Sequence, residues 1–265
     1  MPPLPDPGTK MNYSLILLAL AVSFFLLLLG AIALGKRFGK GGDEKSRAGA
    51  AAIEASVFAL LGLLLAFTFS GAAQRMAERR NILVQEVNAI GTAWLRIDLL
   101  APQAQPALRD DFRRYVDERI LYYRNLADFD ARDAIAARAA SAQQSIWRRS
   151  MQAAQVSVPP FAASYVAAVN EMFDVATTQT VTQKVHPPMM TYVFLGLLAL
   201  VSAGLVGMTL AAAGRTGLTH PIVYALVMTS ALYIIVDYEF PRIGTIRIDQ
   251  SDALLVAQRA SMVNP

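Results

Sequence analysis

The chain contains no cysteine and only two histidines among its 265 residues. The absence of cysteine excludes disulfides, thiolate nucleophiles and cysteine-ligated zinc. Neither His186 nor His220 has a partner three or four positions away, as the zinc-binding helix motif requires. Charge is also scarce: Asp, Glu, Lys and Arg make up 17% of the chain, against about 25% in soluble domains. The sequence therefore predicts no metal site and indicates a membrane protein.

Motifs of catalysis and of nucleotide binding are also missing. Gly30 to Lys36 has the spacing of a phosphate-binding loop, but Arg37 stands where Ser or Thr would bind magnesium. The first glycine lies inside a long apolar run, where the required strand–turn–helix cannot form. There is no Gly-x-Ser-x-Gly nucleophile elbow. We predict that the protein is not an enzyme and needs no cofactor.

What the sequence does contain is four long apolar runs, in a chain with a mean hydropathy of +0.39. They cover residues 15–34, 51–73, 189–213 and 218–236. Each is close to the ~20 residues that cross a bilayer as a helix. Basic residues follow the first run instead of preceding it, which indicates a retained span and not a signal peptide. We predict a multi-pass protein whose immediate partner is the lipid bilayer.

The segment between the second and third runs has the apolar periodicity of helices and no strand-like alternation. Residues 74–188 hold 14 basic and 12 acidic residues, so this part offers no nucleic-acid surface. The fold class is therefore all-α, with four transmembrane helices and a helical soluble domain inserted between spans 2 and 3. The predicted organisation is an N-terminal tail (1–11), spans 1 and 2 (12–73), the helical domain (74–188), spans 3 and 4 (189–236) and a C-terminal tail (237–265).

The second span continues without a proline from Glu54 to about Leu100. Within it, one face of the helix is defined by residues four apart: Ala59, Leu63, Phe67 and Gly71. If several copies packed around an axis, this face would form a hydrophobic constriction that gates by dewetting. The same face can instead pack against the other three spans of its own chain. Periodicity leaves both interpretations open.

Charged residues at the ends of the spans are the second set of candidates, because carboxylates in hydrocarbon are costly and often functional. Glu54 lies at the loop end of the second span, where Arg215 or the basic loop can face it. At the other end, the candidates for an interfacial ion pair are Arg75, Arg79, Asp237 and Glu239. A transport site is the alternative interpretation of these acids.

The third span carries small residues four apart, Ala203, Gly207 and Ala211, which predict close contact with another helix. The loop at residues 36–47 has five basic and two acidic residues. The positive-inside rule places it in the cytoplasm and the helical domain in the periplasm, on a bacterial inner membrane. Basic residues on the domain side, at Arg75, Arg79 and Arg80, favour the opposite orientation.

Two segments resemble the bestrophin-like family of bacterial membrane proteins. The first runs from Leu61 through Phe67-Thr68-Phe69-Ser70-Gly71 to Leu100, and the second covers residues 237–248. More remotely, the second span is similar to the neck helix of bestrophins, which are pentameric anion channels. Matching Arg75 to the arginine after that neck implies that Ala59, Leu63 and Phe67 are neck residues.

The resemblance implies a homo-oligomer, a pentamer, that conducts inorganic ions, with its large domain in the cytosol. Two departures limit it: Met76-Ala77 replace a tryptophan pair, and only Asp249 and Asp252 stand where bestrophins hold calcium. The first hypothesis is thus an anion-leaning channel whose neck comes from the second span. The alternative is a non-conducting scaffold or sensor whose helical domain binds a partner.

Overall fold

The computed structural model describes residues 13–39, 44–125, 128–214, 217–240 and 249–263. These residues form eight α-helices and no β-strand, which confirms the all-α fold class. The helices are α1 (Tyr13–Phe38), α2 (Glu44–Arg96), α3 (Gln105–Arg124), α4 (Phe129–Val156), α5 (Pro159–Lys184), α6 (Met189–Ala212), α7 (Thr219–Glu239) and α8 (Asp249–Ser261). The predicted tail at residues 1–11 lies outside the described residues.

Four segments are long and apolar enough to cross a membrane, as predicted. They comprise α1, the first half of α2, α6 and α7. The chain divides into two compact units. The membrane unit contains Met11–Met76 and His186–Ile246, and the helical unit contains Ala77–Val185 and Arg247–Pro265.

Close backbone contact between α1 and α6 organises the membrane unit. A Cβ atom built on Gly207 of α6 would lie 2.1 Å from the carbonyl oxygen of Ile32, so no larger residue fits there. A Cβ on Gly35 of α1 would likewise lie 2.0 Å from the carbonyl oxygen of Gly204. Ala203 is fully buried at the same contact. The small residues predicted in the third span thus face α1.

In the membrane unit α2 meets its neighbours through side chains. Leu61 is 1% exposed and joins the apolar cluster formed by α1, α6 and α7. Phe58 lies edge-on to Tyr224 with ring centroids 6.4 Å apart, and Phe69 lies edge-on to Tyr238 at 5.6 Å. One side of α2 is therefore anchored by large side chains.

The helical unit is built from the second half of α2 with α3, α4, α5 and α8. Prolines mark the starts of two of these helices: Pro106 lies in the first turn of α3 and Pro159 begins α5. The predicted apolar faces form a common core, whose fully buried members include Leu83, Ile90, Ile97, Phe112, Val116, Ile146, Tyr165, Val169 and Met172. Phe161, four residues before Tyr165, continues the same apolar spacing but is 49% exposed, since it lies in the first turn of α5.

The C-terminal segment predicted as a tail contains two helical parts. Helix α7 continues to Glu239, and residues 249–261 form α8, which packs on α3. Arg259 of α8 pairs with Asp117 at 2.8 Å, and Arg113 donates to the carbonyl oxygen of Met262 at 3.0 Å. The apolar side chain of Leu255 is buried. A short amphipathic helix with one apolar side is thus held by α3.

The α1–α6 contact gives the first prediction. Gly207→Ala should destabilise the protein by about 1–3 kcal/mol, because the added methyl group overpacks a backbone contact. The matched control is Gly204→Ala on the same helix, whose Cβ would meet nothing closer than 4.0 Å. Thermal unfolding in detergent measures both variants. Equal melting temperatures for the two would contradict the packing described here.

Candidate functional site

The predicted neck face of α2 does not pack against its own chain. Leu63 is 52% exposed and Phe67 is 67% exposed, and Ala59 is exposed as well. The buried positions of this span, such as Leu61 and Ala72, lie on another side of the helix. Large apolar side chains at exposed positions of a membrane helix must meet lipid or other protein copies. The interpretation in which this face packs within one protomer therefore lacks structural support.

Gly71, the fourth residue of the predicted face, belongs to a different surface. It is half-buried, and a Cβ atom built on it would lie 3.1 Å from Nη1 of Arg75. The missing side chain leaves room for the Arg75 guanidinium to lie along α2. The structure thus groups Gly71 with the charged cluster described next.

That cluster joins α2, the segment before α6 and the end of α7 within the membrane unit. The Nη2 atom of Arg75 lies 2.7 Å from Oε2 of Glu239, and its Nε donates to the same oxygen at 2.8 Å. The other oxygen of Glu239 lies 2.9 Å from Nδ1 of His186. The His186 ring stacks on Phe240 with centroids 4.7 Å apart. Glu239 is fully buried, and a buried charge is costly unless it has partners. Arg75 and His186 supply these partners, one on each carboxylate oxygen.

The remaining ion-pair candidates are both buried. Asp237 is 1% exposed on α7. Arg79, in the helical unit, donates from Nη2 to the carbonyl oxygen of Val185 at 3.0 Å, at the C-terminal end of α5. An arginine at this place satisfies a carbonyl that has no partner within the helix. His186, three residues before the start of α6, is the member that sequence reasoning missed.

Glu54 lies on α2 at the opposite end of the membrane unit. Its carboxylate accepts a hydrogen bond from the hydroxyl of Thr209 on α6. It also lines a groove of about 650 Å³ between α2, α6 and α7. Arg215 and residues 40–43, which include its predicted neighbours, lie outside the described residues.

In the helical unit, α2 continues with exposed and uncharged residues at helical spacing. These are Ala77, Asn81, Gln85, Asn88 and Thr92. Three of them, Gln85, Asn88 and Thr92, line a groove of about 400 Å³ together with Glu171 of α5. Arg96 also lines this groove, and it donates to the carbonyl oxygen of Ser164 at 2.8 Å and so ties α2 to α5. The helical unit thus presents a polar face along α2.

A buried polar cluster connects α2 to α3 in the helical unit. Glu86 is fully buried; its Oε1 accepts from Nε of Arg119 at 2.5 Å and its Oε2 from the hydroxyl of Tyr123 at 2.5 Å. Nη2 of Arg119 also donates to the Tyr123 oxygen at 3.0 Å. Both charges therefore have hydrogen-bonded partners.

Burial sets the ionisation of this cluster. It raises the pKa of Tyr123 well above its ordinary value of 10.0, and the charge of Glu86 raises it further. Burial alone would lower the pKa of Arg119, but Tyr123 and Glu86 outweigh burial and raise it. The neighbouring Tyr115 has its pKa raised to about 12, mainly by burial. At neutral pH the tyrosines are therefore protonated donors and Arg119 is charged.

Acidic and basic residues alternate along α3, from Arg109 to Arg119, a pattern that by itself predicts a solvated helix face, but three of these residues are buried. Arg109, Asp111 and Arg119 are each at most 5% exposed. The Arg109 guanidinium lies 4.6 Å above the Trp94 ring, and Arg149 pairs with Asp111 at 2.8 Å. The solvated-face interpretation is wrong for these three. The spacing along α3 could have indicated the burial of Arg119, because Arg119 lies three residues after Val116 and four before Tyr123, on the same side of the helix.

Among the described residues, no group of three or more histidine and acidic side chains is arranged to hold a metal ion. The candidate sites are thus a helix face, two charged clusters and two grooves. None of them brings together a nucleophile and a base. The arrangement is suited to contact with lipid, with ions or with other protein copies.

The Glu86–Arg119 pair gives the second prediction. Arg119→Met should destabilise the helical unit by about 3–5 kcal/mol, because it leaves Glu86 buried without its cation. The double variant Glu86→Leu/Arg119→Met should recover most of that loss, since no buried charge remains. Chemical denaturation followed by tryptophan fluorescence measures the free energy of unfolding.

The control is Arg138→Met, which breaks the exposed pair between Arg138 and Glu118 at 2.9 Å. Exposed pairs contribute only about 0–1 kcal/mol. If Arg138→Met and Arg119→Met cost the same, the buried cluster does not support the unit.

Comparison with protein families gives one result that covers most of the chain. A model of the bestrophin-like domain matches residues 15–253. No curated protein and no solved structure matches the chain. The matched range includes the exposed face of α2, the Arg75–Glu239–His186 cluster, residues 77–185 of the helical unit and the first turn of α8. On this match, the chain belongs to the bestrophin-like family.

Proposed function

We propose that the protein is an ion channel made of several copies of this chain, with a neck lined by α2 of each copy. The observation that carries the proposal is the exposure of Leu63 and Phe67, at 52% and 67%, on one line of a membrane helix. A symmetric ring of such helices would cover these side chains and place them around a common axis. The ring would form a narrow apolar passage.

The chemistry along α2 supports this proposal. Residues spaced three or four apart form one line, from Ala59 through Ser70 to Thr92. The members are Ala59, Leu63, Phe67, Ser70, Gln74, Ala77, Asn81, Gln85, Asn88 and Thr92, and all are exposed. Apolar residues occupy the part within the span, and hydroxyls and amides occupy most of the rest. A short dewetting constriction followed by a polar passage fits an ion pathway.

The line contains no charged residue, which bears on selectivity. The exposed Glu78, four residues after Gln74 and three before Asn81, borders this line, whereas Arg79 and Glu86 are buried. Amides and hydroxyls offer both donors and acceptors, so they can solvate ions of either sign. Anion preference and a pentameric ring therefore enter the proposal from the family relationship. We place the protein in a bacterial inner membrane, with the basic loop at residues 36–47 cytoplasmic and the helical unit periplasmic.

The third prediction tests the constriction. Phe67→Ala should raise ion flux through proteoliposomes several-fold, because a smaller side chain widens the apolar passage and admits water. The matched control is Phe69→Ala. It also removes a phenylalanine ring, two residues further along α2, but that ring faces Tyr238. Flux is measured as quenching of an encapsulated halide-sensitive dye. Absence of flux from wild-type protein and both variants would end the channel proposal.

The fourth prediction tests the shared axis. The chain has no cysteine, so Leu63→Cys introduces a single thiol without further engineering. Oxidation in membranes should give disulfide-linked dimers, because equivalent residues of a ring lie near one another. Phe69→Cys, an exposed position on another side of the same helix, should give far fewer. Equal crosslinking of both, or none from Leu63→Cys, would place this face against lipid.

The second candidate function is a non-conducting scaffold or sensor. The polar groove along α2 and α5, lined by Gln85, Asn88 and Glu171, favours it, because an extended polar peptide could hydrogen-bond there. The particle mass in detergent separates the two candidates. A monomer removes the channel and leaves the scaffold, whereas an oligomer with Leu63 at its centre favours the channel.

A further inference from the structure

The groove beside Glu54 in the membrane unit changes character along its length. Its volume is about 650 Å³, and its walls come from α2, α6 and α7. Glu54, Thr209 and His220 stand at one end. One and two turns further along α7, the walls are the apolar Val223 and Val227. The groove is therefore polar at one end and apolar further along α7.

Glu54 has capacity for a further partner. One of its carboxylate oxygens accepts a hydrogen bond from the Thr209 hydroxyl, and no cationic side chain among the described residues pairs with Glu54. An ionised carboxylate has about four acceptor positions on its two oxygens. A carboxylate at the edge of hydrocarbon is costly unless it is paired. The polar end of the groove therefore favours a cationic donor.

The apolar part of the groove limits what that donor can be attached to. Val223 and Val227 lie on a helix that is long and apolar enough to cross the membrane, so an occupant reaches them from the bilayer. Phe58, one turn along α2 from Glu54, continues the apolar wall on the other side. A chain of methylene groups fits these walls, and a soluble amine would leave them uncovered.

We propose that this groove binds a phospholipid with a primary ammonium headgroup, phosphatidylethanolamine. The ammonium group donates up to three hydrogen bonds and pairs with the Glu54 carboxylate. His220 at the same end can donate to the adjacent phosphate, and an acyl chain lies along Val223 and Val227. Phosphatidylcholine has the same charge but no N–H donor, so it should bind less well. This inference is independent of ion conduction.

The fifth prediction concerns thermal unfolding of the purified full-length protein in detergent. Phosphatidylethanolamine should raise the melting temperature by several degrees more than phosphatidylcholine with identical acyl chains. Glu54→Gln should remove this difference, because the neutral amide cannot pair with the ammonium. The matched control Glu78→Gln makes the same change at an exposed site on the same helix and should keep the difference. Phosphoethanolamine without acyl chains should have no effect.

Several results would overturn the proposal. They are equal stabilisation of the wild-type protein by the two lipids, a full difference in Glu54→Gln, or equal stabilisation by phosphoethanolamine alone. A fall in particle mass in Glu54→Gln would place a second copy of the chain in the groove. If Glu54→Gln does not fold, the proposal is tested by native mass spectrometry of wild-type protein taken from an equimolar mixture of the two lipids. Enrichment of phosphatidylethanolamine supports the site, and equal amounts of both lipids contradict it.

Discussion

The contact between α1 and α6 determines how the other membrane helices are arranged. In hydrocarbon, helices gain little from burying apolar side chains, so close van der Waals packing decides which faces meet. Gly35 and Gly207 let the two backbones approach until there is no room for a Cβ atom. Helix α2 has no such contact and is joined to the unit through Leu61, Phe58 and Phe69 on one side. Its opposite side is left exposed.

Two buried glutamates, one in each unit, follow one rule: each is held by partners from another part of the chain. Glu239 is shared by Arg75 and His186 in the membrane unit. Glu86 is shared by Arg119 and Tyr123 in the helical unit. Such pairs fix the relative position of helices, since breaking one leaves a charge buried without compensation. Glu54 differs because its described partner, Thr209, is neutral.

These features give α2 two separate roles. One side attaches it to its neighbours through aromatic rings, a leucine and the Arg75 and Glu86 pairs. On another side, the residues from Ala59 to Ser70 are exposed and mostly apolar in the membrane unit, and those from Ala77 to Thr92 are exposed and mostly polar in the helical unit. A helix with this division can line a passage in an oligomer while its attached side stays packed. Membership of the bestrophin-like family fits this architecture.

The sequence by itself determined the features that depend on neighbours along the chain. Run length and periodicity predicted the four spans, the apolar faces of the helical unit and the small-residue strip at Ala203 and Gly207, because helix geometry repeats locally. The tertiary structure decided which partners the buried charges have. The spacing of Arg119 between Val116 and Tyr123 indicates the apolar side of α3, and only packing against α2 gives Arg119 its partner Glu86. It also brought His186 to Glu239 across 53 positions. The tertiary structure also decided that the face with Leu63 and Phe67 is exposed, because the spacing of these residues is the same whether or not that face packs against its own chain.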